Sequence, residues 1–141
     1  MNQRRPEPHK DADDTLSAWL PSLLWMALLF YLSSLPQLPG PEEILTIQII
    51  RKTGHAGVFA ILFTLNARAL QKTRPAAPRL TRWAWTLTVL YAGFDELHQG
   101  FVPGRTAALT DVLIDALGAT VAAFLWSRWA VESDPAEPAT R

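Results

Sequence analysis

Hydrophobic positions along the chain fall into four long blocks. From Thr15 to Pro41 there is no charge, and the run Trp19 to Leu32, WLPSLLWMALLFYL, is almost wholly apolar. A bilayer core about 30 Å thick is crossed by roughly 20 mostly apolar residues, and the periodic polar face of a soluble amphipathic helix is missing from this run. A second block spans about Ile47 to Ala67, a third Trp83 to Val102 and a fourth Ala107 to Ala130. The pattern predicts an all-α fold, an integral membrane four-helix bundle. Its connections, Pro36 to Pro41 (PQLPGP), Pro75 to Pro78 and Phe101 to Arg105 (FVPGR), carry the Pro and Gly punctuation of turns. A cleaved signal peptide competes for the first block. Such a peptide begins with a basic region, whereas Asp11, Asp13 and Asp14 stand before this one, and further apolar blocks follow.

Charge divides the chain in the same way. Residues 1–14 hold seven of the twenty-six Lys, Arg, Asp and Glu residues, 132–141 hold four and Arg68 to Arg82 holds five, which leaves ten for everything else. The mild mean hydropathy of +0.08 therefore averages polar ends with apolar spans. The expected organisation is a polar cytoplasmic tail over 1–16, a four-span membrane domain over 17–130 and a second polar tail over 131–141, both tails frayed. Thirteen basic and thirteen acidic residues cancel, which excludes the electrostatic footprint of a nucleic-acid binder. With no cysteine, thiolate nucleophiles, disulfides and Cys-ligated metals are excluded as well.

Basic residues near span ends are retained on the cytoplasmic side. The loop holding Arg68, Lys72, Arg74, Arg79 and Arg82 has no acidic residue, so it is expected inside the cell. Four spans then put both termini inside too, in the cytoplasmic (inner) membrane. Only Arg51, Lys52 and Arg105 are left near the outer face. Trp19, Trp83, Trp85, Trp126 and Trp129 all fall at the predicted inner ends, as an interfacial belt requires.

Ionisable residues nevertheless remain inside the spans. A charge at mid-bilayer costs about 2.5 to 3.5 kcal/mol on insertion scales, so such groups face the bundle interior and pair. Lys52, His55 and Phe59 share one helical face, as do Asp95, His98 and Gln99, and Asp111 and Asp115. Counted at about 1.5 Å per residue, His55 stands about 20 Å and Lys52 about 24 Å above Arg68, while Asp95 and Gln99 stand about 18 and 24 Å above Trp83. Asp115 reaches about 12 Å down from Ala107, which brings all three helices to one polar layer in the outer leaflet. Arg105 can reach that layer from its turn. Small residues, Gly118 with Ala122 and Ala119 with Ala123, give the fourth helix a face for close packing, and Gly93 is expected to do the same for the third.

The strings RKTGHAGVF (51–59) and FDELHQGFVPGRTAALTDVLIDALGA (94–119) carry a Lys-x-x-His, then Asp-Glu-x-x-Gln, then Pro-Gly-Arg with an Asp six residues after the Arg. Together with the first apolar span they resemble the VanZ-like family of small membrane proteins over roughly Trp19 to Trp129. The pattern falls on Lys52, His55, Asp95, Glu96, Gln99, Pro103, Gly104, Arg105, Asp111 and Gly118. It departs at Phe59, where the family often has an aromatic hydroxyl, at Asp115, often Asn, and at Ala122, often Gly. The resemblance implies a multi-pass cytoplasmic-membrane protein of a family named for teicoplanin resistance, whose members mostly lack an assigned activity.

Three readings of the polar layer stand side by side. In a structural one, Lys52 and Arg105 neutralise Asp95, Glu96 and Asp111 and fix how the helices meet. In an enzymatic one, His55 with Asp95 or Glu96 supplies acid–base catalysis on a lipid-linked cell-wall precursor, and Lys52, Gln99, Arg105, Asp111 and Asp115 bind it. In the third, the same residues capture an anionic envelope ligand without reacting. No serine or cysteine lies near the layer, only Thr106 and Thr110, so direct attack by water is favoured over a covalent route. Metal spacing of the His-Glu-x-x-His type is missing, and Glu96 and His98 at i, i+2 point apart, so no metal and no cofactor are expected. Four helices without inverted repeats are also too few for alternating access unless the protein oligomerises.

Overall fold

The computed structural model describes residues 8–36, 45–75 and 79–132, with 8–12, 45–52 and 130–132 as backbone only. The residues form four helices, α1 Pro8–Ser33, α2 Leu45–Thr73, α3 Leu80–Gln99 and α4 Leu109–Glu132, with no strand among them. Helix α1 starts inside the stretch expected to be a frayed tail and runs through Pro21, although a proline there removes one helix hydrogen bond. Helix α2 continues past Ala67 through Gln71 and Lys72, good helix formers whose side chains stand exposed. The turns expected at 37–41 and 76–78, and the ends 1–7 and 133–141, lie outside the described residues.

Helices α2 and α3 form the centre, α1 and α4 lie on opposite flanks, and α1 and α4 share no contact among the described residues. Two apolar clusters fill the grooves. Leu29, Phe59, Leu62, Tyr91 and Ala92 close the space between α1, α2 and α3, and Phe63, Ala67, Ala84 and Ala119 close that between α2, α3 and α4. At the α2–α4 crossing a Cβ on Gly118 would stand 2.0 Å from the Ala56 carbonyl oxygen, so only glycine permits this approach. Gly93 has open space around its Cβ position and brings no helix closer, contrary to expectation.

Polar links cross the apolar interior at middle height. Ser22 of α1 donates to Asn66 Oδ1 of α2, Asn66 Nδ2 donates to Thr88 Oγ1 of α3 (3.1 Å), and all three residues are buried. Trp25 Nε1 donates to the Val58 carbonyl (3.0 Å) and the Tyr91 hydroxyl to the Met26 carbonyl (2.6 Å), which fixes α1 against both central helices. An interhelical hydrogen bond in an apolar solvent contributes about 1 kcal/mol. Asn66→Ala, which removes two of them, should lower the thermal midpoint of the detergent-solubilised protein, and an unchanged midpoint would show that the network adds no stability.

The outer surface is apolar. Leu90 is 66% exposed, Leu97 63%, Leu109 74% and Leu117 61%, and Leu24, Phe94 and Phe124 stand out beside them. A soluble globule avoids continuous patches of this kind. Two helical segments, Asp13–Ser33 and Leu109–Trp129, are long and apolar enough to cross a membrane, and only 17% and 22% of their most apolar windows are buried, unlike the core helix of a soluble protein. Helices α2 and α3 carry the ionisable residues in their sequence and fall outside that class, although four spans were expected.

Candidate functional site at the α3–α4 turn

The turn after α3 is built from its sequence. Pro103 and Gly104 occupy the two central positions, Gly104 has φ 79°, and Arg105 N–H closes the turn on the Val102 carbonyl (3.1 Å). Proline presets the first position and glycine tolerates the positive φ of the second. Arg105 is thereby aimed back across the end of α1. Its Nε donates to the Leu35 carbonyl (3.2 Å), Nη2 to the Leu32 carbonyl (3.3 Å) and Nη1 to Gln99 Oε1 (3.0 Å). The last carbonyls of a helix have no partner within it, and the guanidinium supplies one. Among the described residues Arg105 is a clamp on α1, and its expected pairing with the acidic side chains is not what these contacts show.

Gln99 continues the chain of contacts, donating from Nε2 to Asp95 Oδ2 at 2.8 Å. Asp95 is buried, with 4% of its surface exposed, and its other oxygen, Oδ1, has no hydrogen-bond partner among the described residues. It lines a cleft of about 250 Å³ between α1, α2 and α3, together with His55, Gln99, Arg105, Ser33 and the apolar Leu29, Leu32, Val58 and Phe59. Ser33, whose Oγ donates to the Phe30 carbonyl (3.0 Å), places a serine here although none was expected near the polar layer. Phe59, lacking a hydroxyl, gives the cleft an apolar wall.

The remaining sequence-derived residues divide around this cleft. Glu96 is buried beside Asp95 but faces the turn, where its Oε1 accepts the Ala108 N–H at 2.5 Å just before α4 starts. Asp111 lies in the first turn of α4 next to Thr110 Oγ1 (3.5 Å), and Asp115 is buried one turn on, with Oδ1 3.8 Å from His55 Nδ1. None of these three carboxylates lines the cleft, which brings together Asp95, His55, Gln99 and Arg105 of the residues expected to share a site. Lys52 sits one turn before His55 on α2, and its side chain lies outside the described residues. His98, on the face shared by Asp95 and Gln99 in the helical count, is turned to α1, stacked on Phe30 with Nε2 3.0 Å from Ser34 Oγ. Among the described residues no group of three His, Asp or Glu side chains is placed to hold a metal.

The VanZ/LLP1 family model matches residues 15–130. The chain belongs to the VanZ-like family. That match takes in all four blocks of the hydrophobic pattern and every residue of the cleft, so the Pro-Gly turn, the Arg105 clamp and the buried Asp95 lie within this chain's VanZ-like region. No curated protein and no solved structure matches the chain. Asn66 was not among the polar residues expected to matter within the helices. An amide in the apolar run AILFTLNARAL was the available signal.

Proposed function

We propose that this VanZ-like protein is a multi-pass protein of the cytoplasmic membrane that binds the headgroup of an anionic, lipid-linked envelope molecule, of the cell-wall-precursor class, in the cleft between α1, α2 and α3. The observation that carries the reading is Asp95, buried, with one carboxylate oxygen that has no hydrogen-bond partner among the described residues, and lining a cleft it shares with His55, Gln99 and Arg105. A buried polar atom without a partner is costly, and a ligand donor is what satisfies it. The apolar exterior, two helices able to span a bilayer and the basic loop Arg68–Arg82 support membrane embedding, with both termini in the cytoplasm and the cleft in the outer leaflet.

The size of the cleft narrows the ligand. Sites for drug-sized molecules run from roughly 300 to 1,000 Å³, so about 250 Å³ suits a headgroup whose acyl or prenyl tail stays in the lipid. It does not suit a whole glycopeptide antibiotic, so a part in teicoplanin resistance or envelope homeostasis would run through an envelope lipid. The N–H groups of Arg105 not spent on Leu32, Leu35 and Gln99 are available to a phosphate, and Asp95 accepts from hydroxyls. For Glu96 the structural reading is the better one, because its contact with Ala108 N–H positions the start of α4.

The test compares wild type with Asp95→Asn and His55→Gln at equal membrane levels, reading glycopeptide susceptibility, the pool of cell-wall intermediates and the lipids that copurify. Retention of a lipid-linked precursor by wild type and its loss from both variants is the expected result. Equal lipid content in all three would overturn the reading.

A further inference from the structure

His55 lies on the wall between the cleft and α4, and its ring is divided by that position. The side chain is 38% exposed, yet Nδ1 is buried and has no hydrogen-bond partner among the described residues. The side chain also lines the cleft. Opposite Nδ1, across 3.8 Å, stands a second buried atom with no hydrogen-bond partner among the described residues, Oδ1 of Asp115. The gap exceeds an N–H···O hydrogen bond of about 2.9 Å by less than 1 Å. Two groups of complementary chemistry thus face each other, with Asp95, Glu96 and Asp111 on the elements around them.

The backbone explains how they come together. Gly118 packs against the Ala56 carbonyl at the α2–α4 crossing. Asp115 is three residues before Gly118 on the same face of α4, and His55 is the neighbour of Ala56 on α2. The close approach that Gly118 allows is what delivers Asp115 to His55. No other acid among the described side chains is so placed. Asp95 shares the cleft with His55 but gives its Oδ2 to Gln99, and Glu96 is turned to Ala108. Asp111 stands one turn before Asp115, Lys52 one turn before His55, and Arg105 across the cleft.

We propose that Asp115 is the positioning residue of His55, holding the neutral ring with its proton on Nδ1 and its Nε2 lone pair toward the cleft. The proposal rests on the reading of that cleft as a ligand site and adds a chemistry to it. A carboxylate at one ring nitrogen sets which tautomer is present and stabilises the imidazolium when the other nitrogen takes up a proton. His55 then serves as a proton acceptor for a hydroxyl or a water in the cleft. The O–H bond breaks, an N–H bond forms at Nε2, the positive charge faces Asp115 and the electron pair stays on the oxygen as a nucleophile. That is the general-base half of a hydrolase or transferase reaction on a lipid-linked precursor.

The experiment reads the ring itself. The protein, with its three histidines labelled with nitrogen-15, is reconstituted in lipid nanodiscs, and the ring nitrogen shifts are followed to alkaline pH, His55→Gln identifying the signals of His55. Wild type is expected to show the Nδ1–H tautomer at His55. Asp115→Asn, whose amide can donate to Nδ1, should convert it to Nε2–H. An Nε2–H tautomer in wild type, or the same tautomer in both proteins, overturns the proposal, and the wild-type spectrum decides alone if the variant does not fold. The shifts are read without ligand, so failure here is distinct from loss of lipid retention in the Asp95 and His55 variants.

Discussion

Gly118→Ala is expected to leave little folded protein. The added methyl would stand 2.0 Å from the Ala56 carbonyl oxygen, and the obstacle is backbone in the middle of a helix, not a side-chain tip that can swing aside. Overpacking a core costs about 1 to 3 kcal/mol where side chains can adjust, and here two helices must separate, so about 3 kcal/mol or more is expected. The measurement is the thermal midpoint and the monodisperse yield in detergent. Gly57→Ala and Gly93→Ala are the controls. Neither Cβ position has a neighbour within 4 Å, so both should fold with midpoints equal to wild type or slightly higher, alanine being the better helix former. A Gly118→Ala protein as stable as these controls would mean that the α2–α4 crossing is looser than described.

Replacing Arg105 should have the next largest effect. One guanidinium joins the Leu32 and Leu35 carbonyls at the end of α1 to Gln99 on α3, and Gln99 in turn holds Asp95. A hydrogen bond from a charged donor contributes about 1.5 to 3 kcal/mol, and Arg105→Ala should cost an amount of that order, since solvent and headgroups replace part of what is lost. Arg105→Lys keeps the charge but not the planar fork, so it should recover less than half. Hydrogen exchange at the C-terminal turn of α1 checks this directly. It should speed up in both variants while the α2–α4 crossing stays protected, and uniform acceleration across all four helices would contradict a local clamp.

The hydrophobic pattern made four helices legible because each block is long, apolar and bounded by Pro, Gly or charge. It also placed the ionisable groups, since a charge in such a block has few places to go. What it could not supply was partner choice. Asp95, Glu96 and Asp115 look equivalent as acids in apolar blocks, yet one lines the cleft, one caps a turn and one faces a histidine, according to helix rotations of a fraction of a turn. The match of small residues to close packing held at Gly118 and failed at Gly93 for the same reason. Arg105 was expected to neutralise acids, but the residue after a Pro-Gly turn goes where the turn sends it, and here that is across the end of α1.

The absence of contact between α1 and α4 among the described residues gives the two faces of the central pair different mechanical lives. A displacement of α1 widens or narrows the cleft without transmitting force directly to Gly118 or Asp115, because α2 and α3 stand between as a shared spine. The seam along α1 and the seam behind the histidine are thus two separate joints on one pair of helices.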